Sequence, residues 1–483
     1  MRSLLLFVLL LLAIAAIMLA PSAVRFDQSI GIVPPGVRLA GSTYEDASLG
    51  EVTAALTTTF VEPAALYYAG QRIILRPQTV GFAIDVPGTL AQAQKYGGLP
   101  RLALVFLGQI LHHPLRPVDV PLRYTMNEDA LDGWLAGVAR RYDRAPVPAQ
   151  PEPDQLTILP GQPGWKLDVP ASRERVLAAL TDPGARSAEL VVREAAAPLP
   201  DMDVLAALLR ARLADFDGVG GLFLHDITTG QEVNINGDMA FSGMSTMKIP
   251  VVEETYRTLD GLPGTDTGRL ISETMTLGGL DGDESANHLL ELIGRGDAQA
   301  GVASLDASLR TLGLKNTFMA GPFDQSLSPT PNITTAANSR PDLDTDPDPY
   351  MQTTPRDMGL LLEMLEECSR GGGTLLAAFP GQQTAAKCRQ ALAYMALNDA
   401  NDLVTKRLPP GTLMVHKHGY SAETHGDNAL IWGPEGPYVL SVYLHQPGWL
   451  ELAVSSATMS DLSRAVWNYY TVLKQEQSLQ ARS

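Results

Sequence analysis

Basic residues are scarce relative to acidic ones in this chain: 36 lysines and arginines stand against 53 aspartates and glutamates, a net charge of −17 at pH 7. This balance excludes a nucleic-acid partner, because phosphate binding needs clustered positive charge. Anionic lipid would be repelled as well, so we expect any membrane link to run only through an anchor. With 483 residues, 45% of them hydrophobic, the chain is large enough for two or three folded domains.

A long hydrophobic run occupies the N-terminus, where residues 4–20 are 17 apolar residues in succession. This length overlaps both the core of a signal peptide and the lower limit for spanning a bilayer. An imperfect small-residue cleavage site follows at residues 20–23. Residues 1–25 are therefore predicted to be either a cleaved signal peptide or a retained membrane anchor. In both cases the rest of the chain is expected to be exported.

Cysteine is almost absent, with Cys368 and Cys388 as the two examples. Their spacing lacks the close pairs that are typical of zinc sites, and the sequence predicts no metal and no cofactor. Because an exported chain meets oxidising conditions, a disulfide between these two cysteines is the favoured interpretation. Two separate buried thiols are the alternative.

The first half of the chain contains a repeat and lacks a catalytic constellation. Residues 81–87 (GFAIDVP) are matched without a gap by residues 164–170 (GWKLDVP). Each copy has the pattern of two strands joined by a turn, followed by the start of a helix. Duplication of a small α+β module is favoured over chance similarity, and we place this module at residues 27–198.

The second half has strand patterns at both ends and helical patterns between them. A predicted hairpin at 221–236 and a second one at 428–444 flank a mostly helical stretch. One helix has a clear start, with Thr354 as N-cap and Asp357 closing a capping box. The pattern predicts an α+β fold, in which an antiparallel sheet has its first and last strands as neighbours and is flanked by a helical lobe.

Ser245-Thr246-Met247-Lys248 follows the first hairpin and opens a predicted helix. Positions three apart share a helix face, so Lys248 is expected beside the Ser245 hydroxyl. A serine hydroxyl is a poor nucleophile until a nearby base takes its proton. The helix start also provides backbone N–H groups that are suited to holding an oxyanion. Because this motif alone also occurs by chance, the sequence around it must show whether it marks an active site.

The context resembles a known family. Two further features accompany Ser245-x-x-Lys248: a polar turn about forty residues later, and His416-Lys417-His418-Gly419. Together, the three features resemble the three-part signature of the penicillin-recognising serine enzymes. These include the class A β-lactamases and the D-alanyl-D-alanine peptidases. Residues 352–358 also resemble the Thr-Thr-Pro helix start of that family. The resemblance covers residues 202–476 and implies a β-lactamase/D,D-peptidase-like fold.

The resemblance assigns roles to particular residues. It implies that Ser245 attacks a carbonyl to form an acyl-enzyme and that Lys248 takes part in proton transfer. Lys417 would hold the substrate carboxylate, with His418 and Gly419 beside it in the binding site. The N–H of Ser245 and an N–H from the final strand would form the oxyanion hole.

The second motif of the family, Ser-x-Asn, fits this sequence in two registers. An ungapped match places Gly282-Asp283-Glu284 there, which has neither serine nor asparagine. A shift of three residues gives Ser285-Ala286-Asn287, and this register is favoured because the leaving nitrogen needs a proton donor. Ser285 is then predicted to be catalytic and Asn287 to bind substrate. Alternatively, Ser285 only caps a helix.

Two further departures from the family concern His418 and a glutamate. His418 replaces a hydroxyl donor, and His416 and His418 alternate on a strand, which leaves a metal site as a less favoured alternative. Class A enzymes use a loop glutamate to activate water, but no glutamate occurs between Glu291 and Glu363. Asp324 is one substitute for this glutamate. The simpler interpretation is that the aspartates of the loop that contains Asp324 are solvated surface charge. Slow release of the acyl group is therefore expected.

Two hypotheses about function follow. The favoured one is an exported serine hydrolase acting on β-lactams or on D-Ala-D-Ala-type peptidoglycan peptides, which would tie the protein to the antibiotic response. The alternative is a degenerate module that binds these ligands without hydrolysis. The first half loosely resembles the peptidoglycan-binding modules of exported proteins and would contact the cell wall, with a plain spacer as the alternative.

Overall fold

The structure is a computed structural model that describes residues 2–28, 32–44, 47–113, 115–324, 329–340, 342 and 344–482. The chain divides into two units. The first unit holds Met1–Val147 and Pro163–Ala197, and the second holds Pro148–Gln162 and Pro198–Ser483. The predicted module at 27–198 includes residues 148–162, whereas in the structure this segment packs with the second unit. The predicted domain boundaries otherwise stay a prediction.

The first unit begins with a long apolar helix and continues with short strands and helices. Its elements in chain order are α1 (Arg2–Gln28), β1 (Val37–Leu39), β2 (Ser42–Thr43), α2 (Leu49–Val61), β3 (Ala64–Tyr68), β4 (Gln71–Leu75), β5 (Ala83–Ile84), α3 (Val86–Gln94), α4 (Leu99–Ile110), β6 (Val118–Val120), β7 (Tyr124–Thr125) and α5 (Glu128–Tyr142). The segment predicted to be a signal or anchor lies in α1. Within the described ranges, no helix meets the length and hydropathy needed to cross a membrane.

The chain then passes through the second unit and returns to the first. The hairpin that belongs to the second unit is β8 (Gln150–Glu152) and β9 (Thr157–Leu159), and the returning elements are β10 (Gly164–Leu167), α6 (Val169–Thr181), β11 (Ser187–Glu189) and β12 (Val192–Ala195).

The two Asp-Val-Pro copies start two helices in the same way. The Asp85 carboxylate accepts a hydrogen bond from the Gly88 N–H at the start of α3, and the Asp168 carboxylate accepts one from the Ala171 N–H at the start of α6. The preceding strands differ in their partners, because β5 pairs with β7 and β10 pairs with β12. The repeat therefore encodes a shared helix start rather than two equivalent sheets.

The second unit contains the remaining strands and helices. They are α7 (Met202–Leu213), β13 (Val219–Asp226), β14 (Glu232–Ile235), β15 (Phe241–Ser242), α8 (Lys248–Thr258), α9 (Thr265–Thr276), α10 (Gly279–Ile293), α11 (Ala298–Thr311), β16 (Phe318–Met319), β17 (Met351–Thr353), α12 (Pro355–Ser369), α13 (Gly373–Ala378), α14 (Ala385–Met395), β18 (Met414–Tyr420), β19 (Thr424–Gly433), β20 (Gly436–His445) and α15 (Leu452–Gln480).

A five-stranded antiparallel sheet in the order β14-β13-β20-β19-β18 organises the second unit. Strands β13 and β20 pair from Val219↔His445 to Asp226↔Tyr438. This pairing confirms the prediction that the first and last strands are neighbours in one sheet. Alternate residues face two apolar cores: Leu440 packs with the core of α7 and α15, and Val439 with that of the helical lobe. The predicted α+β fold is confirmed, and β18 is left as an edge strand.

Helices of the lobe are fixed by a cap and a cross-link. The Thr354 hydroxyl accepts a hydrogen bond of 3.0 Å from the Asp357 N–H and so caps α12. Cys368 at the end of α12 and Cys388 in α14 form a disulfide in the structure, with their Cα atoms 5.8 Å apart. This bond ties α12 to α14, and α14 packs against α8.

Candidate active site

A cavity of about 430 Å³ lies beside the end of β18. The lining residues that matter for chemistry are Met244, Ser245, Asp283, Phe323, Asp324 and Tyr420. Ser245 and three carboxylates, those of Asp283, Asp324 and Asp348, thus border one space. A cavity of this size accommodates a small bicyclic or dipeptide-sized ligand.

The turn carrying Ser245 is a 3₁₀ helix, Met244–Met247, between β15 and α8. Met244 has a φ of +51°, a left-handed conformation that is strained for a residue with a side chain. The Thr246 hydroxyl accepts a hydrogen bond of 2.9 Å from the Tyr443 hydroxyl, which in turn accepts one of 2.8 Å from the Asn428 amide. Because Tyr443 and Asn428 belong to β20 and β19, the sheet holds the turn in place.

Lys248 is the first residue of α8 and is completely buried. Its Nζ lies 2.7 Å from Oδ1 of Asp283, although the pair is not aligned as a hydrogen bond, and 5.5 Å from the centroid of the Phe323 ring. A buried ammonium group is stable only with a counter-charge nearby. Asp283 supplies that charge, and Asp283 lines the same cavity as Ser245.

Gly419 lets β18 approach the turn of Ser245. A Cβ added to Gly419 would lie 2.9 Å from the Ser245 backbone nitrogen, which is closer than real side chains come. Glycine is therefore needed where strand and turn meet. This close approach is what an oxyanion hole made of the Ser245 N–H and a β18 N–H requires.

Lys417 lies on β18 two residues before Gly419 and is only 3% exposed. Burial, and then the positive charge of Lys248, lowers the pKa of Lys417 to about 8. The structure thus brings the turn that carries Ser245 next to β18, the strand of Lys417 and Gly419. The roles that the family signature implies for these residues stay a prediction.

His418 is partly buried on β18, with its ring 5.0 Å from the ring of Tyr420 and 6.0 Å from that of His416. Burial lowers the pKa of His418, so the imidazole is neutral near pH 7 and adds no positive charge to the site. His416 instead pairs with buried Asp427, at 3.1 Å between Nδ1 and Oδ1. Across the described ranges, no cluster of three or more His, Cys, Asp and Glu is placed to hold a metal ion.

The second motif is placed differently from the favoured prediction. Ser285 donates a hydrogen bond of 3.1 Å to Glu273 on α9, and it is Asp283 that faces Lys248. Successive helix residues are rotated by about 100°, so positions 283 and 285 point to nearly opposite sides of α10. The ungapped register, Gly282-Asp283-Glu284, is therefore the one at the cavity, and the structure does not support a catalytic Ser285.

Asn287 also differs from its predicted role, because its side chain is hydrogen-bonded to the main chain of Phe323. The amide oxygen of Asn287 accepts a hydrogen bond of 2.8 Å from the Phe323 N–H, and its nitrogen donates one of 3.0 Å to the Phe323 carbonyl. Asn287 is thus a positioning residue, which holds the segment with Phe323 and Asp324 against α10. It is not placed as a direct substrate contact.

Asp324 lies at the exposed edge of the cavity, next to Asp283. Partial burial, and then the negative charge of the nearby Asp283, raises the pKa of Asp324. The structure thus brings this loop aspartate to the site, unlike the exposed Asp342 and Asp344 of the same loop.

Sequence reasoning missed three features of the cavity. Asp283 was visible only as the less favoured register, and its pairing with Lys248 follows from the rotation of α10. Tyr420, which lines the cavity, directly follows the Lys417-His418-Gly419 motif and could have been included as its continuation. The positive φ of Met244 has no signal in the sequence, since methionine does not favour that conformation.

The sheet, the helical lobe and the turn from Ser245 to Lys248 are the features of the second unit that a known family can be compared with. A family model described as "Beta-lactamase enzyme family" matches residues 204–262 and 270–470, more than half of the chain. The chain belongs to this family. A second model, described as "Putative peptidoglycan binding domain", matches residues 106–187 in the first half.

Comparison with solved structures gives distant similarity. The β-lactamase from Sphaerobacter thermophilus shares 19% identity at a TM-score of 0.41, covering 56% of this chain and 98% of that one. PBP-A shares 18% identity at a TM-score of 0.43, covering 58% of this chain and 100% of that one. A β-lactamase from Xanthomonas campestris pv. campestris shares 22% identity at a TM-score of 0.40, covering 55% and 98% of the two chains. No curated protein matches the chain.

Proposed function

We propose that the second unit forms an acyl-enzyme on Ser245 with β-lactams or with D-Ala-D-Ala-type peptides. The observation that carries this proposal is the shared cavity: Ser245 borders it together with Asp283, and Asp283 in turn pairs with the buried Lys248. Lys417 provides a cation for the carboxylate that both classes of ligand carry.

In the acylation step, Ser245 Oγ bonds to the amide carbonyl carbon and the C–N bond of the substrate breaks. The hydroxyl proton passes to the Lys248–Asp283 pair, and the departing nitrogen receives a proton from the same pair. Glycine occupies position 282, so no hydroxyl is available there to relay that proton. Lys248 faces this position directly, since a Cβ added to Gly282 would lie 2.9 Å from its Nζ.

A chromogenic β-lactam tests this function. Hydrolysis over many turnovers would identify a β-lactamase, whereas one equivalent of product followed by a stable covalent adduct would identify a penicillin-binding protein. If neither hydrolysis nor an adduct appears, the alternative function is supported: a non-hydrolytic binding module. The loss of serine from the second motif and the replacement of a hydroxyl by His418 are the features that favour this alternative.

For release of the acyl group, we propose Asp324 as the group that activates water. Asp324→Asn is expected to slow deacylation by about 10²–10⁴-fold, the usual contribution of a general base, while acylation changes little. The adduct with penicillin should then persist, as followed by intact mass over time. Because the raised pKa of Asp324 keeps it protonated at low pH, deacylation of the wild type should accelerate as the pH rises and Asp324 ionises.

The matched control is Asp344→Asn, since Asp344 is an exposed aspartate of the same loop. This variant should release the acyl group at the wild-type rate. Unchanged deacylation in Asp324→Asn would remove Asp324 from the chemistry and leave the exposed carboxylate as ordinary loop charge.

Lys417 should make substrate binding depend on pH. Its pKa of about 8 means that it is charged below that pH and loses its charge as the pH rises through it. The KM for a β-lactam with a free carboxylate is therefore expected to increase above about pH 8, whereas the KM for its methyl ester should not. Lys417→Arg should flatten the profile because a guanidinium group stays charged. Parallel profiles for acid and ester would contradict this role of Lys417.

We further propose that the first unit binds the cell wall. The matched residues 106–187 include α5, β10 and α6, and a cavity of about 180 Å³ there is lined by Tyr142, Arg144 and Trp165. Aromatic faces stack on sugar rings, and arginine binds carboxylates of the kind found on peptidoglycan stems. The N-terminal apolar run and the disulfide support export of the protein, either anchored or secreted.

Co-sedimentation with purified peptidoglycan sacculi tests this binding. Trp165→Ala is expected to reduce the bound fraction several-fold, because the 36% exposed ring loses its contact with the glycan. Trp449→Ala removes an even more exposed tryptophan of the second unit and should leave the bound fraction unchanged. Equal binding by both variants would favour a spacer role for the first unit.

A further inference from the structure

Helix α4 presents an apolar face to solvent. Leu104, Leu107 and Leu111 follow the spacing of a single helix face and are 56%, 50% and 62% exposed. Val105 and Gly108 are buried, so α4 is apolar both toward the protein and away from it. A helix that is apolar on both sides usually has a second apolar environment.

The chain around α4 is basic, against the acidic character of the whole. Residues 86–118 contain no aspartate and no glutamate, although the protein has 53 of these residues. The basic side chains of this stretch are Lys95, Arg101, His112, His113 and Arg116. Because charges are screened beyond about 10 Å, a local basic surface attracts an anionic partner even when the net charge is negative.

Helix α1 contacts α4, and this places a second apolar surface beside the first. Of its described side chains, Leu12, Ile17 and Met18 are 61%, 73% and 76% exposed. Exposed leucines flanked by basic residues, next to an apolar N-terminal helix, are the pattern of a helix that lies in a bilayer interface.

We propose that α4, which is flanked in the sequence by Lys95 and Arg116, docks on an anionic lipid bilayer. Leu104, Leu107 and Leu111 enter the boundary between headgroups and acyl chains, while Lys95 and Arg116 meet lipid phosphates. A second protein copy fits less well, since two identical basic surfaces repel each other. The inference is independent of the chemistry at Ser245. It extends the expected membrane contact from α1 to the body of the first unit.

Labelling with a fluorophore tests this docking in the full chain. Because the two native cysteines are bonded to each other, Leu107→Cys provides a single reactive thiol. The labelled protein is reconstituted in vesicles of equal parts phosphatidylcholine and phosphatidylglycerol that carry a nitroxide lipid. We expect the lipid nitroxide to quench most of the emission at position 107. The control is Leu413→Cys, at a 72% exposed apolar position of the second unit, where quenching should be several-fold weaker.

Reversing local charge tests the choice of lipid. Lys95→Glu combined with Arg116→Glu should reduce quenching at position 107 on the phosphatidylglycerol vesicles and leave it unchanged on pure phosphatidylcholine. Equal quenching at positions 107 and 413 would overturn the proposal. So would a label at position 107 that is shielded from aqueous iodide without vesicles, because a protein surface would then cover α4.

Discussion

Ser245→Ala is expected to abolish both the covalent adduct and any hydrolysis of a β-lactam. Removal of a catalytic serine costs up to about 10⁶-fold in related chemistry, because attack on the carbonyl has no substitute nucleophile. The turn itself should persist, since Thr246, Tyr443 and Asn428 hold it through hydrogen bonds that do not involve the Ser245 side chain. Single-turnover acylation followed by intact mass gives the measurement.

Ser285→Ala is the matched control for this substitution. Ser285 was favoured from the sequence as a second catalytic serine, yet its hydroxyl is bonded to Glu273 away from Lys248. We expect acylation by Ser285→Ala to stay within about twofold of the wild type, with a loss of stability of about 1 kcal/mol from the missing hydrogen bond. An acylation rate that falls in Ser285→Ala as it does in Ser245→Ala would reinstate the register 285–287 as the second motif.

Lys248→Met is expected to reduce the acylation rate by about 10²–10⁴-fold. The substitution keeps an unbranched side chain that is one heavy atom shorter, removes the proton-carrying group and leaves Asp283 without a cation. It should also raise the pKa of Lys417, because the positive charge of Lys248 contributes to holding that pKa low. The readouts are the single-turnover acylation rate and the pH profile of KM.

Lys387→Met controls for the loss of a buried lysine as such. Lys387 is 5% exposed in α14 and donates to the carbonyls of Leu259 and Gln382, outside the cavity lining. This variant should unfold at lower temperature but acylate normally while folded.

Asp283→Asn should have little further effect on the acylation rate in the Lys248→Met background if Lys248 and Asp283 act as one unit. Additive losses would contradict that coupling.

The sequence predicts the scaffold of the second unit well, because its signals are local and agree with one another. Period-two strands, the Thr354 cap and the pairing of β13 with β20 all follow from patterns in short segments. Ser245 and Gly419 likewise come together because two elements of this fold, the turn before α8 and strand β18, are in contact.

The parts of the site that were not predicted depend on the rotation of α10 about its axis and on the position of the loop that contains Asp324. A motif search favoured Ser285 and Asn287 by residue type, whereas the phase of α10 turns Asp283 toward Lys248 and leaves Asn287 to bind the Phe323 main chain. The position of Asp324 follows from that same contact, since Asn287 holds the adjacent residue. No local pattern in a proline-rich loop encodes a contact with a helix more than thirty residues away.

The most direct measurement of the central claim is peptide mapping of the protein after exposure to penicillin. The account predicts a mass increase of one intact penicillin on the peptide that contains Ser245, and a longer-lived adduct in Asp324→Asn than in the wild type. The absence of any adduct under conditions in which turnover is also absent, or an adduct on another residue, would contradict it.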